Sequence, residues 1–260
     1  MKVYCCQFDI RWEDKPANFR KVESMLSAAN VEQGSLVQLP EMFATGFSMN
    51  VDSIQEGEDE ETMQFLRRVA RERGIFVLGG LVMASPSGLG LNQAVGFSPE
   101  GKEIVRYTKI QTFSLGGESK CCAAGDRVAT FSWRGLTVSP YICYDLRFPE
   151  LFRIGTRRGA QLITVMANWP DVRIQHWVAL LQARAIENQA YVAGVNRCGS
   201  SPELRYNGRS VIVAPSGEIL ADAADKEMMI EAEIDVKALE SLRTSLPFLR
   251  DMRGDYATME

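Results

Sequence analysis

The sequence predicts an α/β fold of two sheets covered by helices, on three observations. Strand-like and helix-like segments alternate at both ends of the chain. The middle, from residue 75 to 142, is instead a succession of short apolar runs bounded by Gly, Pro, Ser or Asp. A purely doubly wound sheet would keep the alternation throughout, so two sheets with helices outside them fit better. No linker divides the 260 residues, a length that suits one large α/β unit. One domain over 1–260 is expected, with 236–260 as a polar C-terminal tail.

Residues 4–8 read as a buried strand. Pro16 then opens a segment in which Phe19, Val22, Leu26 and Ala29 recur at helical spacing. Residues 35–39 are a second strand, ended by Pro40, which holds Leu39 extended, and Glu41 follows at once. From 58 to 73 the acids Glu58, Asp59, Glu60 and Glu61 precede the bases Arg67, Arg68, Arg71 and Arg73, and the run stops at Gly74. That order suits a helix macrodipole with a glycine C-cap. The runs 75–83, 92–98, 103–107, 128–132 and 136–142 read as strands. Residues 148–159 are predicted helical and 162–167 a strand. Residues 173–189 carry Trp177, Leu180, Leu181, Arg184 and Asn188 on one helical stripe, and 191–196 form a strand. Strands at 210–214, 218–221 and 228–234 complete the chain before a tail containing Pro247, a candidate arm. No period of 20 to 50 residues repeats.

Composition narrows the function. The 29 Lys and Arg against 33 Asp and Glu give a net charge of −4 with the signs interspersed, which argues against a nucleic-acid groove or an anionic membrane surface as the main role. Asp9 arrives too early for a secretory apolar segment, and no run approaches the roughly 18 apolar residues of a membrane span. A cytoplasmic protein is expected. The six cysteines include no Cys-x-x-Cys pair and His176 is the single histidine, so neither a zinc site nor a disulfide framework is expected and the thiols read as free. There is no Gly-x-x-x-x-Gly-Lys loop, no Gly-x-Gly-x-x-Gly, no Gly-x-Ser-x-Gly and no His-Glu-x-x-His. His176 sits in a helical stretch before Trp177 and reads as a packing or hydrogen-bonding histidine rather than a general base.

What remains is a cysteine at a strand end. Cys143 closes the run 136–142 and is followed by a polar segment entering a helix. Backbone N–H groups without intrahelical partners favour thiolate there and can hold a developing oxyanion. A free cysteine is otherwise an inert small hydrophobe, so it needs activation. Glu41 and Lys109 stand at similar strand ends. A buried carboxylate could take the thiol proton and a lysine could neutralise the oxyanion. Glu118 is a weaker candidate of the same kind.

These residues resemble a known family. Leu39-Pro40-Glu41-Met42-Phe43, Lys109-Ile110-Gln111-Thr112-Phe113 and the run from Tyr141 through Cys143 to Glu150 are similar to the three signatures of the nitrilase superfamily of carbon-nitrogen hydrolases. Their order, Glu then Lys then Cys, and their separations of 68 and 34 residues also match. The likeness extends from about residue 2 to about residue 235. Further on, Ala167-Asn168-Trp169-Pro170, His176-Trp177, the run 183–189 and Gly194-Val195-Asn196-Arg197 look like the omega-amidase branch, which hydrolyses the terminal amide of 2-oxo acid amides such as 2-oxoglutaramate. The resemblance implies a four-layer αββα sandwich, a homodimer or larger homo-oligomer, a small-molecule amide substrate, and no metal or organic cofactor. It implies Glu41 as general base and acid, Lys109 as oxyanion stabiliser, Cys143 as nucleophile, and Glu118 as the glutamate that positions Lys109 and the hydrolytic water. The Tyr144 backbone N–H would join Lys109 at the oxyanion. One departure is that Gln111 and Thr112 stand where the family usually has His and Leu, which bears on local pocket shape.

For the substrate carboxylate, Arg173 at the start of a predicted helix is the candidate. Phe47, Asn168 and Trp169 are candidate pocket residues. Arg147 reads as structural, paired with a carboxylate behind the nucleophile turn. Two alternatives stay open: a nitrile or N-carbamoyl substrate within the same family, or a non-enzymatic binding or redox-sensing protein with a reactive Cys143.

Overall fold

A computed structural model describes residues 1–57 and 59–253, and the apolar runs of the sequence become fourteen strands in three sheets. In chain order the strands are β1 (Lys2–Gln7), β2 (Leu36–Gln38), β3 (Phe76–Ala84), β4 (Gly90–Phe97), β5 (Glu103–Thr108), β6 (Phe131–Trp133), β7 (Leu136–Ile142), β8 (Leu162–Ala167), β9 (Tyr191–Asn196), β10 (Cys198–Ser200), β11 (Arg205–Asn207), β12 (Val211–Val213), β13 (Ile219–Asp222) and β14 (Met228–Glu233). The helices are α1 (Lys15–Ala28), α2 (Val51–Ile54), α3 (Glu61–Arg73), α4 (Glu118–Cys121), α5 (Pro149–Arg157), α6 (Ile174–Asn188) and α7 (Val236–Ser245).

Two six-stranded sheets run in the orders β14-β1-β2-β3-β4-β5 and β13-β12-β9-β8-β7-β6, and β10 and β11 form a separate hairpin. Each large sheet holds a parallel centre, β1-β2-β3 in one and β7-β8-β9 in the other, with antiparallel strands outside it. Val3, Cys5, Leu36 and Leu78 of the first sheet share one core with Val138, Val165 and Val192 of the second. That core continues under Phe152 of α5 and Trp177 and Leu181 of α6. On the opposite side of the first sheet, Tyr4, Cys6, Val37 and Val77 pack under Val22 and Leu26 of α1 and Phe65, Leu66 and Val69 of α3. The result is the expected four-layer αββα sandwich. Its strands are apolar on both faces because each sheet is covered twice.

Local chemistry fixes the helix ends. Asp14 accepts the Ala17 N–H and Pro16 lies in the first turn of α1. Gly74 closes α3 at φ +63° with its N–H on the Ala70 and Arg71 carbonyls. Helix α3 begins at Glu61 rather than at 58. The buried Glu56 carboxylate accepts both the Thr62 N–H at 2.8 Å and its hydroxyl at 2.6 Å, capping the helix from outside; Glu58 lies outside the described residues. The expected strand 128–132 shortens to β6. The tail is not all coil: Asp235 accepts the Ala238 N–H to start α7, whose Leu239 is buried. Arg243 and Gln189 then tie its far end to the Gln189, Ala160 and Leu246 carbonyls. Residues 254–260 lie outside the described residues. Helices α2 and α4 and the β10–β11 hairpin leave no pattern in the sequence, since elements of three or four residues carry too few positions to display a period.

Candidate active site

Glu41 follows β2, Lys109 follows β5, Cys143 follows β7 and Asn168 follows β8, so the site lies where parallel strands of both sheets end. Glycine makes this geometry possible at Gly80 of β3. A Cβ there would stand 2.6 Å from Met42 N and 2.7 Å from Glu41 Cα. The chain after β2 therefore lies directly on β3, stitched by Gly80 N–H to the Pro40 carbonyl and Phe43 N–H to the Gly80 carbonyl. Met42 and Cys143 both have φ +45°, a conformation that costs a side-chain-bearing residue energy and that clusters at functional turns.

The three candidate charges converge in a volume closed to water. Lys109 Nζ donates to Glu41 Oε1 and to Glu118 Oε2, each at 2.8 Å, and all three residues are fully buried. A buried charge persists only when paired and hydrogen-bonded, and here every carboxylate oxygen is occupied. Glu41 Oε1 also accepts Asn92 Nδ2 at 2.8 Å, and its Oε2 accepts the Asn168 N–H at 2.9 Å. Glu118 Oε1 accepts the same Asn92 Nδ2 at 2.7 Å, and its Oε2 the Phe113 N–H at 2.6 Å. Burial opposes the Lys109 ammonium, but the Glu41 and Glu118 charges prevail and hold its pKa well above the ordinary lysine value. Lys109 is a permanent cation.

Cys143 sits beside this cluster. Burial first, then the Glu41 carboxylate, pushes its thiol well above the usual range, with Lys109 pulling the other way. This corrects the expectation that the turn alone would favour thiolate: burial, and after it the Glu41 carboxylate, outweigh the unpaired N–H groups and favour a thiol next to a base. Cys143–Arg147 is a 3-10 turn leading into α5, and Tyr144 is in its first turn, where N–H groups lack partners within the turn. The turn is pinned from below by Asp145, whose carboxylate accepts the Tyr107 hydroxyl at 2.8 Å and the Gln111 and Ile142 N–H groups at 2.8 and 3.0 Å. Burial raises Asp145 to about 6 against those donors.

A cavity of about 270 Å³ opens over Cys143. Phe47, Asn168, Trp169 and Arg173 all line it, as does Tyr144. Gln111 and Thr112 do not, although the neighbouring Phe113 does. Asn168 does more than line the wall: besides its N–H on Glu41 Oε2, its Nδ2 donates to the Glu41 carbonyl at 2.6 Å, fixing backbone and side chain of the carboxylate together. Arg147 departs from expectation. It pairs with no carboxylate among the described residues; instead its guanidinium stacks 4.6 Å from the Trp169 ring, 3.3 Å from His176 Nδ1, and lines the pocket. Its side chain passes over the aromatic wall because Asp145, the nearest carboxylate in sequence, is already filled by backbone and tyrosine donors. Arg173 lies 5.7 Å over the Phe113 ring. Two guanidiniums and one carboxylate, Glu203, therefore line a pocket that also carries six aromatic rings. His176 meets Arg147 through Nδ1.

The sequence did not reveal Asn92, Trp12 or Tyr206, the last carried into the wall by the β10–β11 hairpin. Each is an unremarkable residue in its own segment and owes its position to contacts across the two sheets. Among the described residues no three His, Cys, Asp or Glu side chains converge as metal ligands would, no helix is long and apolar enough to cross a membrane, and all six cysteines are free thiols. A buried thiol, a carboxylate and a fixed cation meeting at a cavity floor are the parts that covalent acyl chemistry requires.

Known proteins carry the same arrangement of chain. The carbon-nitrogen hydrolase family model matches residues 2–244. A 2-oxoglutaramate amidase from Bacillus subtilis is 34% identical over 254 residues, covering 97% of this chain and 98% of the relative. The omega-amidase YafV of Escherichia coli K12 is 35% identical, covering 96% of each. Among solved structures, a CN-hydrolase superfamily protein from Xanthomonas campestris with an arsenic adduct in its active site superposes with a TM-score of 0.90 at 30% identity, covering 98% of this chain and 97% of that one.

Proposed function

Given that the chain belongs to the carbon-nitrogen hydrolase family and is a hydrolase of carbon–nitrogen bonds other than peptide bonds, we propose that it is an omega-amidase, cleaving the terminal amide of a small 2-oxo acid amide such as 2-oxoglutaramate to a carboxylic acid and ammonia. The observation that carries this reading is the Lys109 ammonium held 2.8 Å from both Glu41 and Glu118 beside a protonated Cys143. In the first half-reaction Glu41 takes the Cys143 proton as the sulfur bonds to the amide carbon, and the oxyanion forms against Lys109 and the Tyr144 N–H. The C–N bond then breaks as Glu41 returns that proton to nitrogen and ammonia leaves. In the second half-reaction water gives its proton to Glu41 and attacks the thioester, aided by Glu118. The acid departs and Cys143 recovers its proton.

The substrate class is supported by the two guanidiniums that line the cavity. A 2-oxo acid amide carries a carboxylate at the end remote from its amide, and a planar cation binds such a group with charge-assisted hydrogen bonds. Arg173 and Arg147 are the candidates. The names of the relatives, at 34–35% identity over nearly whole chains, favour the same substrate. The reading includes a single domain over the whole chain and a cytoplasmic enzyme. A homodimer is part of it, favoured by exposed Ile154, Ile186, Leu246 and Phe248 on and beside the packed pair α5 and α6.

The test is ammonia release from a 2-oxo acid amide, glutamine, an N-carbamoyl amine and an aliphatic nitrile, with Cys143→Ala, Arg147→Met and Arg173→Met alongside. The expected result is turnover of the oxo-acid amide that vanishes in Cys143→Ala. In at least one arginine variant KM rises about 10- to 100-fold, the worth of a hydrogen bond to a charged group. Turnover of another panel member alone would discard the substrate class. Turnover by folded Cys143→Ala would discard the nucleophile.

A further inference from the structure

Asn92 lies in the middle of the charge cluster, and no motif or spacing singles it out. Its side chain is buried, and its one amide nitrogen serves two carboxylates, Glu41 Oε1 at 2.8 Å and Glu118 Oε1 at 2.7 Å. An amide NH₂ has two protons, so each carboxylate receives one. The backbone carbonyl of Asn92 accepts the Lys109 N–H at 2.9 Å. A single residue thus ties both carboxylates and the start of the lysine that joins them. The amide cannot be turned over, because its oxygen would then face two carboxylate oxygens. In the orientation it holds, Oδ1 is buried with no partner, a costly arrangement that the nitrogen's two bonds offset.

The consequence falls on Glu41. Each carboxylate oxygen accepts about two hydrogen bonds. Lys109 and Asn92 fill Oε1 at 2.8 Å each, while Oε2 takes one short bond, the Asn168 N–H at 2.9 Å, and only a long 3.5 Å contact from Asn168 Nδ2, whose short bond goes to the Glu41 carbonyl, so that Oε2 is the oxygen with room for a proton. We propose that Asn92 is a positioning residue of the reaction: together with Lys109 it saturates Glu41 Oε1 and so dedicates Oε2 to the proton that moves between Cys143 Sγ, the departing amine and the hydrolytic water. As the C–S bond forms, the thiol proton passes to Oε2; as the C–N bond breaks, the same proton passes from Oε2 to nitrogen. Without Asn92 the carboxylate is free to turn, and Oε1 competes for a proton it cannot deliver. The proposal rests on the reading of Glu41 as the base.

Two variants test it, with folding checked by circular dichroism and thermal melting: Asn92→Ala, which removes the donor, and Asn92→Asp, which keeps the shape but replaces a donor by an acceptor. The readouts are kcat, KM, the pH profile and the rate at which iodoacetamide alkylates Cys143, followed by peptide mass mapping. In Asn92→Ala, kcat is expected to fall about 10- to 100-fold, part of the 10²- to 10⁴-fold that a positioned acid–base supplies, with KM little changed. The Cys143 alkylation rate falls in parallel, and the acidic limb of the profile moves to higher pH. The charged and titratable groups that face one another there are Glu41, Glu118, Lys109 and Cys143, with Tyr206 and Asp145 beside them. Asn92→Asp is expected to be worse than wild type by a larger factor at pH 8 than at pH 6, because a proton on the added carboxyl restores a donor. A folded Asn92→Ala protein with unchanged kcat, limb and alkylation rate overturns the proposal, as does an Asn92→Asp protein with a wild-type profile. Because alkylation needs no substrate, failure of the wild type on every amide would strike the function and leave the Asn92 test standing.

Discussion

Replacing Lys109 by Met keeps the length and apolar stem of the side chain and removes only the charge, which makes it the sharpest probe of the cluster. The ammonium has no exposure to water and holds two carboxylates at 2.8 Å. Its loss leaves two buried anions bridged by the amide of Asn92 alone. Removing one partner of a buried ion pair costs about 3 to 5 kcal/mol, a large part of a domain's usual 5 to 15. With a urea slope of about 3 kcal/mol per molar, the unfolding midpoint should fall by about 1 to 2 M. Loss of one oxyanion donor costs about 10² to 10³ in rate, and kcat should fall by at least that much because Glu41 also loses its anchor. The stability deficit should shrink as the pH falls below neutral, since a proton shared between neighbouring carboxylates replaces part of the missing charge. Urea melts at pH 5.5 and 8 together with ammonia-release kinetics measure all three. A variant with kcat within tenfold of wild type, or a midpoint shift independent of pH, would refute the argument that Lys109 both binds the oxyanion and neutralises the pair.

Two further outcomes follow from the same geometry. Burial raises Asp145 to about 6 from an ordinary 3.8, so between those values the folded state holds the proton more tightly than the unfolded chain and stability falls as pH rises. The loss amounts to about 3 kcal/mol and is complete above pH 6. Asp145→Asn removes that slope, and urea melts of both proteins from pH 4 to 7 should diverge by that amount; parallel curves would contradict it. Gly80→Ala places a methyl 2.6 Å from Met42 N, which forces the Glu41 turn off the strand at a cost of about 1 to 3 kcal/mol. A displacement of 1 Å at a reacting group costs about 10² in rate, so the kinetics should suffer more than the melting temperature. Unchanged kcat would show that the turn tolerates the shift.

The layers of this protein were legible in its sequence because burial leaves a local record. Strands covered on both faces read as mostly apolar runs at β1, β3, β7, β8 and β9, and Asp14 with Pro16 or Arg73 with Gly74 marks a helix end within a single turn of chain. Glu41, Lys109 and Cys143 were legible for a different reason, as polar residues immediately after apolar strands in an order and spacing similar to a known family. What the sequence could not carry is whatever depends on two distant segments meeting. Asn92 looks like any polar residue at the start of a strand until β4 brings it between Glu41, 51 residues away, and Glu118, 26 residues away. In the sequence Arg147 reads as structural, paired with a carboxylate behind the nucleophile turn; only the folded turn, with Asp145 consumed by Tyr107, Gln111 and Ile142, sends the guanidinium over Trp169 into the pocket. The protonation of Cys143 was likewise decided in three dimensions. The strand-end turn by itself favours an anion, whereas burial beside the Glu41 carboxylate opposes one, and the strength of that opposition depends on distances and desolvation that no linear pattern encodes.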